Sequence, residues 1–328
     1  MKTMMKSDIF KKETVVVNDP IRFNKEDLIE KKINFDNKGI KGIITDIMLN
    51  GVHVVARDLT IENPYSIEVE HDFSFVKLHI EMEGDNEYCP ENVEERGIYI
   101  PQGHYNLFYL PKIKGVLNYR TKRRRTLEIT FTGEYLEKLF YPNLKTTIPL
   151  LAEAIANHTT YVMWEKSKSI TPKLTILIED ILQCSYSGAI KKAFLESKMV
   201  EILSYLFTII NEEENLPANV ELSACDYVKI LKVESILKTR FKEKHTLASI
   251  AAEVGLNNFK IKKYFKIVFH TTVFNYLTEV RMEYAKQLIL EKDMPICVVS
   301  EELGYKNPHH FTVAFKKTLG YLPSKLKN

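Results

Sequence analysis

Four lysines and one aromatic residue, Phe259, Lys260, Lys262, Lys263 and Lys266, are spaced to share the outward face of a helix. Between them Ile261, Tyr264 and Phe265 supply an apolar face for packing. Ammonium groups on long stems hold phosphate oxygens, and an exposed ring lies against base edges or methyl groups. A lysine run alone is most simply a solvated face. Here it follows a capping residue and a turn glycine, Asn257 and Gly255, which sharpens the signal.

Other chemistry finds little support in the residue pattern. Cys89, Cys184, Cys225 and Cys297 are far apart and form no CxxC pair, so neither a disulfide framework nor a zinc module is expected. His53, His71, His79 and His104 could meet in a barrel, but no HxH or HxxxH spacing marks a metal centre. A phosphate-binding glycine loop, HExxH and GxSxG are missing, so no cofactor, metal or catalytic activity is expected. A DNA-modifying enzyme with a reactive cysteine is disfavoured because none of the four cysteines has a recognisable setting. Lys122-Arg123-Arg124-Arg125 is expected at a solvated hairpin edge, with contact to a phosphate or an acidic ligand as the alternative. Asn157-His158-Thr159 spells a glycosylation sequon, which cytosolic residence would leave silent.

The lysine face must be positioned by its neighbours. In TLASIAAEVGLNNFKIKKYFKIVFH (246–270), Thr246 caps a helix whose apolar face is Leu247, Ile250, Ala251 and Val254. Gly255 provides the sharp turn, and Asn257 caps the second helix. This is a helix-turn-helix. It recurs in PICVVSEELGYKNPHHFTVAFKKTLG (295–320), where Glu302, Leu303 and Gly304 match Glu253, Val254 and Gly255 at an offset of 49. Beyond the turn the offset is 50, pairing Asn257 with Asn307, Phe265 with Phe315 and Lys266 with Lys316. One inserted turn residue accounts for the change. Between the units, residues 273–290 form an apolar stripe of Phe274, Leu277, Val280, Tyr284, Leu288 and Ile289. A helix of that length spans about 27 Å, close enough to the roughly 34 Å between successive major-groove faces to hold both units on one side of a duplex.

The rest of the chain is patterned differently. Residues 221–328 carry 18 Lys and Arg against 11 Asp and Glu, whereas residues 1–220 carry 28 against 32. A basic last third on an acidic remainder suits a domain that meets a polyanion. VKLHIEM (76–82), RGIYIP (96–101) and TLEITFT (126–132) alternate as strands, punctuated by Asn50-Gly51, Gly84-Asp85, Pro101-Gln102-Gly103 and Gly115. Short strands at this spacing predict a β-barrel or sandwich. From 172 to 212 the period becomes helical, through Leu174, Leu177, Ile178 and Ile181 and then Phe194, Met199, Ile202, Leu203, Leu206 and Ile209. Ser185 to Gly188 break the two helices. Their apolar stripes predict a dimer surface, with packing on the chain's own strands as the alternative. The acidic, proline-bearing stretch NEEENLPANVEL (211–222) reads as a linker. The N-terminus, MKTMMKSDIFKKE, has no apolar core of the kind a secretory signal needs, and no run is long enough to span a bilayer, so a cytoplasmic protein is expected.

Residues 226–328 closely resemble the DNA-binding domain of the AraC/XylS family of bacterial regulators. RMEYAKQLIL, EELGY and the closing AFKKTLGYLPSKL with its GxxPS pattern carry the resemblance. It implies that Phe259, Lys262 and Lys263 read bases in the first unit. In the second it implies the same for Pro308, His309, His310, Thr312 and Val313. Asn257, Lys266, Asn307 and Lys316 fall where phosphate contacts belong. Two departures stand out: His270 where a glycine usually ends the first unit, and Val313 where a long polar side chain is common. The second unit would then read bases weakly or through thymine methyls. The stretches IPQGHYNLFYLP (100–111) and TLEITFTGEYLEKLF (126–140) resemble regulators of the pyochelin-responsive type.

Together these expectations describe an α+β multidomain protein. Residues 1–165 form a cupin-like β-barrel that senses an unknown small molecule near His104, Asn106 and Phe108. Residues 166–212 are dimerisation helices, 213–225 a linker, and 226–328 an all-α domain with two helix-turn-helix units joined by a linker helix. Double-stranded DNA, a second copy of the chain and, through the family, RNA polymerase are the expected partners, and no membrane is involved. A constitutive architectural DNA binder with a purely structural barrel is the alternative.

Overall fold

The computed structural model describes residues 2–8, 14–18, 28–71, 73–92, 95–214, 222–269 and 271–326. Its contacts divide the chain into two compact units, Met1–Ile170 with Asp180–Asn211, and Thr171–Glu179 with Glu212–Asn328.

The first unit is built on strands β1 (Lys2–Lys6), β2 (Thr14–Asn18), β3 (Ile29–Asn37), β4 (Ile40–Leu49), β5 (Val52–Ile61) and β6 (Tyr65–His71). They continue as β7 (Phe75–Glu83), β8 (Asn86–Pro90), β9 (Ile98–Ile100), β10 (His104–Leu110), β11 (Ile113–Tyr119) and β12 (Arg123–Phe131). After helices α1 (Gly133–Phe140), α2 (Leu144–Thr147) and α3 (Pro149–Asn157), the short strands β13 (Tyr161–Val162) and β14 (Lys168–Ser169) pair with β10. Two sheets result among the described residues, ordered β2-β1-β6-β11-β8-β9 and β13-β10-β7-β12-β5-β4-β3.

This corrects the expected closed barrel. Each sheet is open at both ends, with β2 and β9 outermost in one and β13 and β3 outermost in the other. Side-chain alternation fixes which residues face inward, and it is the same for a barrel and for two facing sheets. Strand closure is set by backbone pairing, which alternation does not encode. The sheets meet through a shared apolar cluster in which Val69, Tyr88 and Ile100 from one pack with Phe75, Phe108 and Leu110 from the other. The far face of the second sheet is covered as well: Val76, Leu78 and Ile80 on β7 and Leu127, Ile129 and Phe131 on β12 are fully buried.

Helices α4 (Pro172–Leu182) and α5 (Gly188–Glu214) flank the expected break. Of the expected stripe, Leu174, Leu177, Ile178, Ile181, Met199, Ile202, Leu203, Leu206 and Ile209 are buried, and Phe194 is half-buried. A stripe that wide serves intramolecular packing equally well. Most of the predicted linker, residues 215–221, lies outside the described residues.

The second unit contains α6 (Ala224–Thr239), α7 (Leu247–Val254), α8 (Asn258–Phe269), α9 (Val273–Glu291), α10 (Ile296–Glu302) and α11 (Pro308–Leu319), then a 3-10 turn at Pro323–Leu326. It has two cores. One gathers Ile230, Val233 and Leu237 of α6 with Ile250 and Val254 of α7, Ile261 and Phe265 of α8, and Tyr276 and Leu277 of α9. The other gathers Met282, Ala285, Leu288 and Ile289 of α9 with Val299 and Leu303 of α10 and Phe311 and Phe315 of α11. Helix α9 therefore spends its first half in one core and its second half in the other. Phe274, expected in the apolar stripe, is instead 43% exposed. No helix among the described residues is long and apolar enough to cross a membrane.

Candidate functional site

Each unit of the repeat is a pair of helices joined at a left-handed glycine. In the first, Thr246 Oγ1 accepts from the Ser249 N–H at 3.0 Å, and Ser249 Oγ accepts from the Thr246 N–H at 3.1 Å. This reciprocal cap starts α7. Gly255 ends it at φ 66°, and Gly304 takes the corresponding place after α10 at φ 78°. Glycine reaches this conformation without the strain any Cβ would bring. Lys229 Nζ donates to the Gly255 carbonyl at 3.1 Å, placing positive charge at the C-terminal end of α7.

The second helix of each unit begins with an asparagine cap. Asn257 Oδ1 accepts from the Lys260 N–H, and Asn307 Oδ1 from the His309 N–H, both at 2.8 Å. The helix N-termini so fixed carry partial positive charge suited to a phosphate. Ile261 and Phe265, and in the second unit Phe311 and Phe315, anchor α8 and α11 from behind and are fully buried. The opposite faces are solvent-exposed. Phe259 is 71% and Val313 53% exposed, and Lys262, Lys263, Lys266, Pro308, His309, His310 and Lys316 are exposed as well. Lys263 Nζ lies 6.0 Å from the Phe259 ring centroid. Thr312 is half-buried and donates its hydroxyl to the Pro308 carbonyl at 2.9 Å. His270 lies outside the described residues.

One lysine of the outward face is already engaged. Lys260 Nζ pairs with Asp226 Oδ2 of α6 at 2.9 Å, a hydrogen bond that raises its pKa above the ordinary lysine value. Lys260→Ala should therefore weaken DNA binding less than Lys266→Ala. Filter binding at low salt would check this, since a lost phosphate contact lowers affinity and reduces the salt slope by about one. Equal losses for the two variants would count against the assignment.

Sequence reasoning did not single out the segment that ties the two units together. Arg240 Nη2 bonds Glu253 Oε2 at 2.5 Å, and Lys242 Nζ bonds Glu302 Oε1 at 2.6 Å. Glu253 and Glu302 are the acidic pair matched across the repeat. Between the two cations, Phe241 packs on both cores. Arg281 of α9 holds the same segment by donating to the Phe241 carbonyl at 2.7 Å and the Glu243 carbonyl at 2.9 Å. The repeated glutamate was the available signal: its recurrence at the same place before the turn glycine calls for a recurring partner.

In the first unit a cavity of about 380 Å³ lies between the sheets. Phe108 lines it, but His104 and Asn106 do not. His104 Nδ1 lies 2.8 Å from the Gln102 carbonyl and its Nε2 3.2 Å from Ser169 Oγ. Asn106 Nδ2 donates to the Trp164 carbonyl at 2.9 Å. These two side chains pin residues 161–169 onto β10. The basic run 122–125 also needs correcting. Lys122 and Arg123 are exposed and Arg125 is half-buried, but Arg124 is only 3% exposed and faces the cavity. Strand alternation turns it inward beside Glu128.

Sequence comparison accords with this geometry. Residues 46–222, more than half of the chain, match the family described as the regulatory protein PchR N-terminal domain, and residues 250–328 match a helix-turn-helix domain family. The chain belongs to the AraC/XylS family of transcriptional regulators. A transcriptional regulator of helix-turn-helix type in the cgkA 5′ region of Pseudoalteromonas carrageenovora is 33% identical over 79 residues, covering 24% of this chain and 46% of that protein. ExsA of Pseudomonas aeruginosa, also a regulator of helix-turn-helix type, is 30% identical over 90 residues, 26% of this chain and 32% of its own. The lactose operon transcription activator of Staphylococcus xylosus is 25% identical over 196 residues, 58% and 69% of the two chains. The match thus spans less than half of the first two relatives. Both matching families are described as regulatory or helix-turn-helix domains.

Proposed function

We propose that the chain is an effector-responsive transcriptional activator that binds promoter DNA through both helix-turn-helix units and works as a homodimer in the cytoplasm. The observation that carries this reading is the division of α9 between two helix-turn-helix cores. Each unit presents an asparagine-capped helix whose outer face is exposed. Phe259, Lys262 and Lys263 are assigned to base edges in the first unit, and Pro308, His309, His310, Thr312 and Val313 in the second. Asn257, Lys266, Asn307 and Lys316 are assigned to phosphates. The polar reach of the first set and the apolar Val313 of the second give the first unit the larger share of sequence choice.

Activation rests on the relative from Staphylococcus xylosus, which is by name an activator, and contact with RNA polymerase follows from the same role. The first unit is assigned to sensing, as a cupin-like module, supported by its two facing sheets and the space between them. A ligand held there would shift the population of states competent to bind DNA.

In vitro selection of bound DNA with the full-length protein tests the reading. The expected motif has two sub-sites about one helical turn apart. Affinity that falls steeply with salt and shows no motif at all would leave only non-specific binding and defeat it. Alanine at Phe259, Lys262 and Lys263 should relax selection more than alanine at His309 and His310, and the reverse order would overturn the division between the units.

A further inference from the structure

One side chain belongs to both cores of the DNA-binding unit. Among the described residues, Phe241 alone packs against the first helix-turn-helix core and the second. It sits in the loop between α6 and α7, where His245 Nε2 lies 2.7 Å from the Arg240 carbonyl and closes the turn. The Phe241 ring meets Tyr284 of α9 at 4.8 Å, and Lys242 Nζ stands 4.9 Å over that tyrosine. The cations on either side of Phe241 reach matching places. Arg240 bonds Glu253 and Lys242 bonds Glu302, each glutamate lying two residues before a turn glycine.

Burial decides which of these contacts holds the loop. Both ion pairs are open to solvent, and such pairs contribute little each. Arg281 is better placed. It lies near the middle of α9, is half-buried, and donates to the Phe241 carbonyl from Nε and to the Glu243 carbonyl from Nη2. Hydrogen bonds from a charged donor are about twice as strong as neutral ones. Phe241 and Arg281 therefore fasten the loop to α9 where its two halves meet.

That position has mechanical leverage. The 19 residues of α9 span about 28 Å at the rise of an α-helix, and long helices tend to curve. A bend of about 10° at Arg281 would displace a helix end about 14 Å away by roughly 2.4 Å. Successive bases along a strand are roughly 3.4 Å apart. The angle held at Arg281 thus decides whether the second unit meets its sub-site in register with the first.

We propose that Phe241 and Arg281 are positioning residues that set the separation of DNA sub-sites the protein accepts, although neither is assigned to DNA. This rests on the reading of both units as DNA readers. It makes the loop between α6 and α7, rather than the reading helices, the determinant of spacing.

The test uses the full-length protein and the motif obtained by selection. Binding is compared on that motif, on versions with the spacer one base pair longer or shorter, and on a duplex keeping only the first unit's sub-site. A shifted spacer costs the second unit its base contacts, so the native protein should bind the altered duplexes about tenfold less tightly or worse. In Phe241→Ala the penalty should fall to about threefold or less, while affinity for the single sub-site stays native. Phe241→Leu, which keeps an apolar plug between the cores, should restore most of the penalty. Lys266→Ala should weaken binding to every duplex and leave the penalty intact. Arg281→Met gives the same reading as Phe241→Ala by removing two hydrogen bonds, should the alanine variant fail to fold, with helical circular dichroism reporting the fold. A penalty that survives both substitutions, or a native protein indifferent to the spacer, would overturn the proposal alone. A selection that yields no motif would instead defeat the reading of both units as readers, and the proposal with it.

Discussion

Replacing Glu128 by glutamine is expected to destabilise the first unit by about 3–5 kcal/mol at neutral pH, the range for removing one partner of a buried ion network. The carboxylate is 8% exposed and is the common acceptor for Arg57, Lys77 and Arg124. Without it three cations face one another on adjacent strands. Burial alone would raise the Glu128 pKa, but Arg57, Lys77, His79 and Arg124 outweigh burial and hold it well below the ordinary value of 4.5. The sign of the pH dependence follows. A carboxylate with a depressed folded pKa contributes stability that is present above its unfolded value and lost as pH falls through the folded one. The gap between native protein and Glu128→Gln should therefore be full at neutral pH and narrow once pH drops below 4.5. Trp164 is buried, stands edge-on to Tyr105 at 5.4 Å and is the only tryptophan, so its fluorescence in urea follows this unit. Coincident urea midpoints at pH 7 would show that the network is not holding the sheets.

The same network marks where sequence reading stopped. Helix-turn-helix units were legible because their signals are local: a cap, an apolar stripe at helical spacing, a turn glycine and an asparagine cap all lie within 25 residues. The recurrence at offsets of 49 and 50 then confirmed each signal with the other. In VKLHIEM the alternation of Lys77, His79 and Glu81 with Val76, Leu78 and Ile80 was equally legible as a strand. Its natural reading is that charge faces water. Both faces are in fact covered, the apolar one at the outer side of the sheet and the charged one toward the cavity. That outcome depends on the facing sheet, whose strands come from distant parts of the chain and whose pairing no local pattern specifies. Arg124 in its basic run was misplaced for the same reason. The apolar stripes of α4 and α5 likewise report that something covers them without naming the surface that does.

Phe265→Ala is expected to cost the DNA-binding unit about 3–5 kcal/mol, the range for emptying a phenylalanine site in a packed core. Its effect should reach beyond the first helix-turn-helix. The Phe265 ring is fully buried and meets Phe269 at 4.6 Å and Tyr276 of α9 at 5.4 Å. Tyr276 lies on the same helix as Met282, Leu288 and Ile289, which belong to the second core. A helix forms cooperatively, so loosening its first half removes support from the second. Phe241, packed on both cores, and Glu253 and Glu302, bound to neighbouring cations, join the two units along a second route. Amide hydrogen exchange reads the difference directly. In Phe265→Ala, protection should fall along α9 from Val273 to Glu291 and in α11, not only around Tyr276. A loss confined to α8 and the start of α9 would mean that the two readers fold and act independently. Coupled loss would mean that α9 holds them as one body, as a composite site with sub-sites at a fixed separation requires.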